Sequence, residues 1–203
     1  MSAAAEIRPF RREDARPAAD LLAPLVPPDY PVNAAALVHA IEVLPPEDGA
    51  YWVAGAGGDI VGWAEATRHL ASPRRDVQRV WVAVRDDHRR NGLGGRLFQT
   101  AEERALSHGP RLLRSWTQAD EPDGAGFLRT RGFELRRTER LWALDPATVD
   151  ISDLPRREGE AAAAGYRLAP LRDLLDRPED LHRTFNATDV DVPSDIEVSG
   201  LPY

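Results

Sequence analysis

The stretch Val77-Gln-Arg-Val-Trp-Val-Ala-Val-Arg-Asp-Asp-His-Arg-Arg-Asn-Gly-Leu-Gly-Gly-Arg-Leu-Phe-Gln-Thr-Ala-Glu-Glu-Arg-Ala105 decides how the chain is read. It runs from an apolar strand (Val80 to Val84) through a charged turn into a glycine cluster and then a helical pattern. Glycines at 92, 94 and 95 remove side chains where a ligand must approach the backbone. The amides of such a loop, with the helix N-terminus behind them, form an anion-sized nest. Arg89 and Arg90 add formal charge beside it. A dinucleotide fingerprint would need glycine at Leu97, and a Walker loop needs a lysine that the chain lacks altogether.

Working outward, Glu6 to Phe10 reads as a strand, and Ala15, Ala18, Ala19, Leu22 and Leu25 as a helical stripe. A proline-rich loop follows, from Pro24 to Pro31. Asn33 then caps a second helix, Ala34 to Val43. Tyr51–Ala56 and Ile60–Thr67 form a hairpin about Gly57-Gly58-Asp59. The loop Arg68 to Arg75 leads into the Val77 strand. Beyond the helix from Gly94 to Ser107 come a strand over Arg111–Thr117, a short helix over Ala125–Thr130, and a last strand over Glu134–Leu144. The order β-α-α-β-β-β-α-β-α-β predicts an α/β (α+β) fold, a mixed, mostly antiparallel sheet flanked by helices.

Residues 148–165, with the run Ala161 to Ala164, read as a linker. After it, Tyr166-Arg-Leu-Ala-Pro-Leu-Arg172 echoes Ile7-Arg-Pro-Phe-Arg11, and an acidic helical stretch follows each. Residues 166–203 are therefore expected to be a partial repeat of the first unit or a C-terminal extension, able to pack on a second copy.

Composition narrows the function. The chain has 203 residues, 42% apolar and 29% charged, with a net charge of −7. It is an ordinary globular composition, and the sign argues against a nucleic-acid partner. From residue 151 onward there are 6 arginines against 11 carboxylates, so the acidity is concentrated there. Cysteine is absent, which removes disulfides, thiolate metal ligands and a cysteine nucleophile. No apolar run approaches a membrane span, and the N-terminus lacks a secretory signal, so a cytoplasmic protein without membrane partners is the expectation.

Arg89-x-x-Gly92-x-Gly94, following Val82-Ala83-Val84, resembles the acyl-CoA signature of the GNAT family of N-acetyltransferases. Phe127 to Phe133 resembles that family's second recurring feature, a helix ending in Gly-Phe. The resemblance covers about residues 4–147. It implies acetyl-CoA, or another acyl-CoA, as donor and an amine of a small molecule or peptide as direct acceptor. Val82, Ala83 and Val84 would hold the pantetheine arm, and Arg89, Arg90, Asn91, Gly92, Leu93, Gly94 and Gly95 the pyrophosphate. Where the family often has a tyrosine acid and a glutamate base, this chain has Leu128 and Gln78. Glu65 and His69 are the substitute candidates for catalysis, with Asp76 a third. Trp116 is the candidate wall of the acceptor site, and Asp120 is a turn carboxylate near the expected CoA arm. The missing pair leaves open an alternative, a non-catalytic acyl-CoA-binding module.

Overall fold

A computed structural model of the chain describes residues 5–26, 32–69, 76–140, 142 and 144–189. The remainder of the loops expected at 24–31 and 68–75, Leu141 and Ala143 of the expected last strand, and residues 190–203 of the expected repeat lie outside the described residues. Contacts divide the chain into two units, Met1–Glu134 and Leu135–Tyr203.

The first unit is built on a five-stranded sheet in sequential order: β1 (Glu6–Pro9), β2 (Gly49–Ala56), β3 (Asp59–Arg68), β4 (Val77–Val84) and β5 (Leu112–Arg114). The first four pair antiparallel, and β5 runs parallel to β4. The β2–β3 turn places Gly57 at φ 62° and Gly58 at φ 95°, the left-handed pair that a tight hairpin requires. On one face lies α3 (Leu93–Leu106), whose Leu93, Leu97, Phe98, Ala101 and Ala105 form a buried stripe against Ala64, Ala66 and Val80. Gly62 is what permits that approach, because a Cβ there would stand 2.7 Å from Leu97 Cδ1. On the other face α1 (Ala15–Leu22) presents Ala18, Leu21 and Leu22 to Val53, Trp63 and Ala83. Leu37 and Ile41 of α2 (Ala34–Glu42) pack against that cluster, and Asn33 Oδ1 caps α2 by accepting from the Ala36 amide at 2.9 Å.

Three expectations need correction. The strand expected over 111–117 forms ladder pairs only at Leu112, Leu113 and Arg114. Beyond them the ladder ends; Trp116 still stacks on Trp81, and Gln118 Nε2 donates to the Leu25 carbonyl at 2.7 Å. The last strand expected over Glu134–Leu144 does not form among the described residues. Its alternation was incomplete: Arg137 and Glu139 share the parity of Leu135, so no continuous apolar face exists to lie on a sheet. Leu135, Trp142 and Leu144 are exposed. The helix near 125–130 starts earlier, as α4 (Pro122–Arg129), with Pro122 at its first position, where a missing N–H costs nothing.

The second unit holds α5 (Leu154–Ala163), a 3-10 turn at Leu171–Leu174, and α6 (Pro178–Asp189). The span expected as a linker is thus largely helical. Its alanines are strong helix formers, and Arg156 and Arg157 pair with Asp153 at 2.7 and 2.8 Å one turn away. From residue 166 the order is irregular chain, the 3-10 turn and then α6. Residues 166–170 form no strand.

Candidate functional site

The glycine loop sits at the carboxyl end of β4. A 3-10 turn, Asp86–His88, leads into it and is held by local ion pairs. Arg85 Nε contacts Asp87 Oδ1 at 2.8 Å, and His88 Nδ1 lies 2.8 Å from the same oxygen. Arg85, and then His88, hold the Asp87 carboxyl down to about 2. Arg90 at φ 60° and Gly92 at φ 83° are both left-handed, a rare conformation for arginine. Gly92 is the N-cap of α3 and supplies no side-chain cap. Asn91 Oδ1 accepts from the Leu93 amide at 3.2 Å. The amides of Gly94 and Gly95 fall in the first turn, where helix geometry provides no carbonyl partner. Leu93 itself is buried in the α3-side core, so it offers a ligand only its backbone.

Charge around the loop is not distributed as the sequence predicts. Arg89 is occupied: Nε donates to the Val84 carbonyl at 3.0 Å, Nη2 pairs with Asp86 at 2.9 Å and Nη1 reaches Glu121 at 3.6 Å. Arg90 pairs with Asp123 in the first turn of α4. A further cation beside the loop is Arg131, which sequence reasoning passed over as part of a turn. Its guanidinium lies 3.5 Å over the Phe127 ring, and Nη1 donates to the Phe127 carbonyl at 3.0 Å. Its Nη2 stands 3.3 Å from where a Cβ on Gly95 would be. Its sequence signal was the spacing Phe127-x-x-x-Arg131, which places a cation one turn along from an aromatic ring.

β4 carries the rest of the site. On one side it pairs with β3 through Ala64↔Val82, Trp63↔Ala83 and Gly62↔Val84. On the other, the β5 ladder stops at Arg79↔Arg114. From Val80 to Val84 that side of β4 therefore has no ladder partner among the described residues. Beyond the ladder's end, on the α1 face, Trp81 and Trp116 stack with ring centroids 4.8 Å apart and planes 10° apart.

The structure separates the catalytic candidates. Glu65 pairs in register with Trp81 and is buried. Its Oε1 accepts from Arg79 Nη2 at 2.8 Å, and its Oε2 from Trp63 Nε1 at 3.3 Å. Tyr51 stands opposite Glu65 on β2, and burial, then the Glu65 charge, push its hydroxyl above the usual range. His69 is elsewhere: its amide donates to the Val77 carbonyl at 3.1 Å. Five residues of strand, about 17 Å, separate that level from Val82. Asp76 anchors the start of β5, its Oδ2 accepting from Arg111 Nε at 3.2 Å. Gln78 is buried and shares the parity of Val80 and Val82, which pack on the α3 side, away from Trp81. Leu128 likewise packs against the α3-side core.

One edge of β4 thus leads, through the 3-10 turn, to a glycine-lined helix start. Comparison with known proteins bears on the same elements. The model of the acetyltransferase (GNAT) family matches residues 17–133. Among solved structures, an aminoglycoside N-acetyltransferase in complex with CoA is 22% identical, with a TM-score of 0.54, covering 71% of this chain and 95% of that one. Glucosamine-6-phosphate N-acetyltransferase from Arabidopsis thaliana is 14% identical, with a TM-score of 0.54 and coverage of 70% and 100%. An aminoglycoside 6'-N-acetyltransferase from Acinetobacter haemolyticus is 17% identical, with a TM-score of 0.53 and coverage of 69% and 98%. At these identities the likeness is one of fold. No curated protein matches the chain. With the family match extending over more than half of its length, from α1 through the Gly-Phe that follows α4, the chain belongs to the acetyltransferase (GNAT) family.

Proposed function

We propose that the chain is an N-acetyltransferase that takes its acyl group from acetyl-CoA and passes it directly to the amine of a small molecule or peptide. The observation that carries this reading is the order of the site: the strand edge at Val80–Val84 leads, through one 3-10 turn, into the left-handed turn and the glycine-lined start of α3. Val82, Ala83 and Val84 would hold the pantetheine arm as an added strand, and the backbone from Arg89 to Gly95 the pyrophosphate. Bound there, acyl-CoA supplies an activated thioester. Acyl transfer forms a C–N bond, breaks a C–S bond and releases the amine proton, which a group on the enzyme side must accept. Glu65 is the proton acceptor in this reading, because it is the candidate carboxylate beside Trp81. Trp81 and Trp116 wall the acceptor side.

One observation favours the alternative of a non-catalytic acyl-CoA-binding module. Glu65 already has both oxygens engaged, by Arg79 and Trp63, and Leu128 offers no acid. Two measurements test the readings. Calorimetry should show CoA binding that Gly92→Glu abolishes while the far-UV spectrum is kept, because a left-handed position and an added anion both oppose the phosphates. Binding that survives the substitution would refute the pyrophosphate assignment. Thiol release from acetyl-CoA over a panel of amines separates enzyme from module: CoA binding without turnover on any amine would leave only the module.

A further inference from the structure

One row of side chains crosses the sheet on the α1 face. Tyr51 of β2 stands opposite Glu65 of β3, and Glu65 opposite Trp81 of β4. The parallel register Arg79↔Arg114, carried two residues on, brings Trp116 beside Trp81. The stacked indoles agree with that placement, since their 4.8 Å centroid separation falls at the spacing of neighbouring strands. The row therefore reads phenol, carboxylate, indole, indole. Beside it Trp63 is fully buried, packed by Tyr51 at 5.8 Å and Phe10 at 5.6 Å, whereas Trp81 and Trp116 are only partly buried. Around the row, the charged side chains that β3, β4 and β5 carry are Glu65, Arg79 and Arg114. Glu65 and Arg79 pair at 2.8 Å, and Arg114 is engaged as well. Neither a polycation nor a polyanion finds an unmatched counter-charge among these three. What the row offers an incoming molecule is aromatic surface, one carboxylate and one phenol.

Resting on the donor and acceptor assignment above, we infer that the acceptor is a monoamine whose nitrogen sits on a short arm of an aromatic ring, the ring packing on Trp81 and Trp116 and the nitrogen turned toward Glu65. One residue of strand, about 3.3 Å, separates the level of Trp81 from Val82, the first residue assigned to the donor's arm, so the ring and the nitrogen stand about two or three bonds apart. Aromatic pairs gain energy beyond the area they bury, because the negative face of one ring meets the positive edge of another. A saturated ring of the same size gains from burial alone. The amine arrives protonated, and an indole face attracts a cation in the same way. One positive charge beside Glu65 is matched there. The further charges of a polyamine would be desolvated against indole with no partner, which is costly.

The test is calorimetric titration of the full chain, CoA-loaded and CoA-free, with matched amines. The probes are 2-phenylethylamine, its saturated counterpart 2-cyclohexylethylamine, and the polycation neamine. Expected is about three- to tenfold tighter affinity for the aromatic amine than for the saturated one, the scale of an aromatic pair, with neamine weakest. Trp116→Leu should erase that preference, and Trp116→Phe, which keeps a ring, should retain part of it. A second readout needs no variant: in the wild-type chain, transferred nuclear Overhauser contacts should join the ring protons of bound phenylethylamine to the indole protons of Trp81 or Trp116. Equal affinity for the aromatic and saturated amines, neamine binding more tightly than either, or bound phenylethylamine without those contacts would overturn the inference. Failure of CoA itself to bind would instead overturn the donor assignment, and the acceptor preference would still be read from the CoA-free titrations.

Discussion

Arg131 shows how a candidate binding residue hides in a sequence. The two arginines that precede the glycines, Arg89 and Arg90, are the natural choice for phosphate contacts, yet each is paired with a carboxylate from residue 86, 121 or 123. Arg131 lies 36 positions beyond Gly95 and is carried back to it by α4. The Phe127 ring beneath it holds the guanidinium without neutralising it. Arg131→Gln is therefore expected to weaken CoA affinity by about tenfold or more, the loss of a charge-assisted contact. Removing both loop carboxylates, Glu121→Gln with Asp123→Asn, should strengthen it by freeing Arg89 and Arg90. Titration of CoA at fixed ionic strength checks both, and equal affinity in all variants would place the phosphates elsewhere. The same lesson applies to Glu65 and His69. Both were legible as candidates by residue type, but only strand register shows that one stands at Trp81 and the other at Val77.

At the scale of elements, what could be read was what local chemistry determines. The hairpin about Gly57-Gly58, the Asn33 cap and the strand-to-helix passage through Gly92 each depend on neighbours within a few residues. The length of β5 and the fate of Glu134–Leu144 depend on distant partners: Gln118 is tied to the Leu25 carbonyl 93 positions away, and a charged stretch finds no face to bury. The junction of β1 and α1 is another long-range device. Arg8 on β1 donates to both Asp14 oxygens, at 2.6 and 2.7 Å, and the Arg11 amide donates to Asp14 at 2.8 Å. These contacts, Arg8 first, hold the Asp14 carboxyl below the usual carboxylate range. Because the folded value is the depressed one, the stabilisation is complete above about pH 4, the ordinary carboxylate range, and is lost as the pH falls through the lowered value. Asp14→Asn should cost about 2 kcal/mol near neutrality, the scale of a charged hydrogen-bonded pair. It should also flatten the acid limb of a plot of thermal midpoint against pH, and an unchanged limb would mean that Asp14 does not couple folding to protons.

For the molecule as a whole, the two units differ in kind. All the buried residues among those described fall between Asp14 and Ala105. In the second unit Tyr166, Leu168, Leu171, Leu175 and Phe185 are exposed, and α5 contains no buried residue. A unit with so little apolar burial opens at low free-energy cost. Native-state hydrogen exchange should thus find the amides of β2, β3, β4 and α3 protected near the global limit, and those of α5 and α6 exchanging far faster. Comparable protection in both would show that the second unit shares in the cooperative core. No helix among the described residues is long and apolar enough to cross a membrane.

The stacked tryptophan pair has one more consequence, an optical one. Two indoles 4.8 Å apart with planes 10° from parallel are close enough for their electronic transitions to couple, so the pair absorbs as a unit and not as two independent rings. The chain should carry an exciton couplet in its circular dichroism that neither Trp52, Trp63 nor Trp142 can produce alone. Trp116→Leu would extinguish it while leaving the helix bands in place. Any molecule that wedges the rings apart would dim it and any that rests on their outer face would shift it, so this part of the sheet carries its own chromophore.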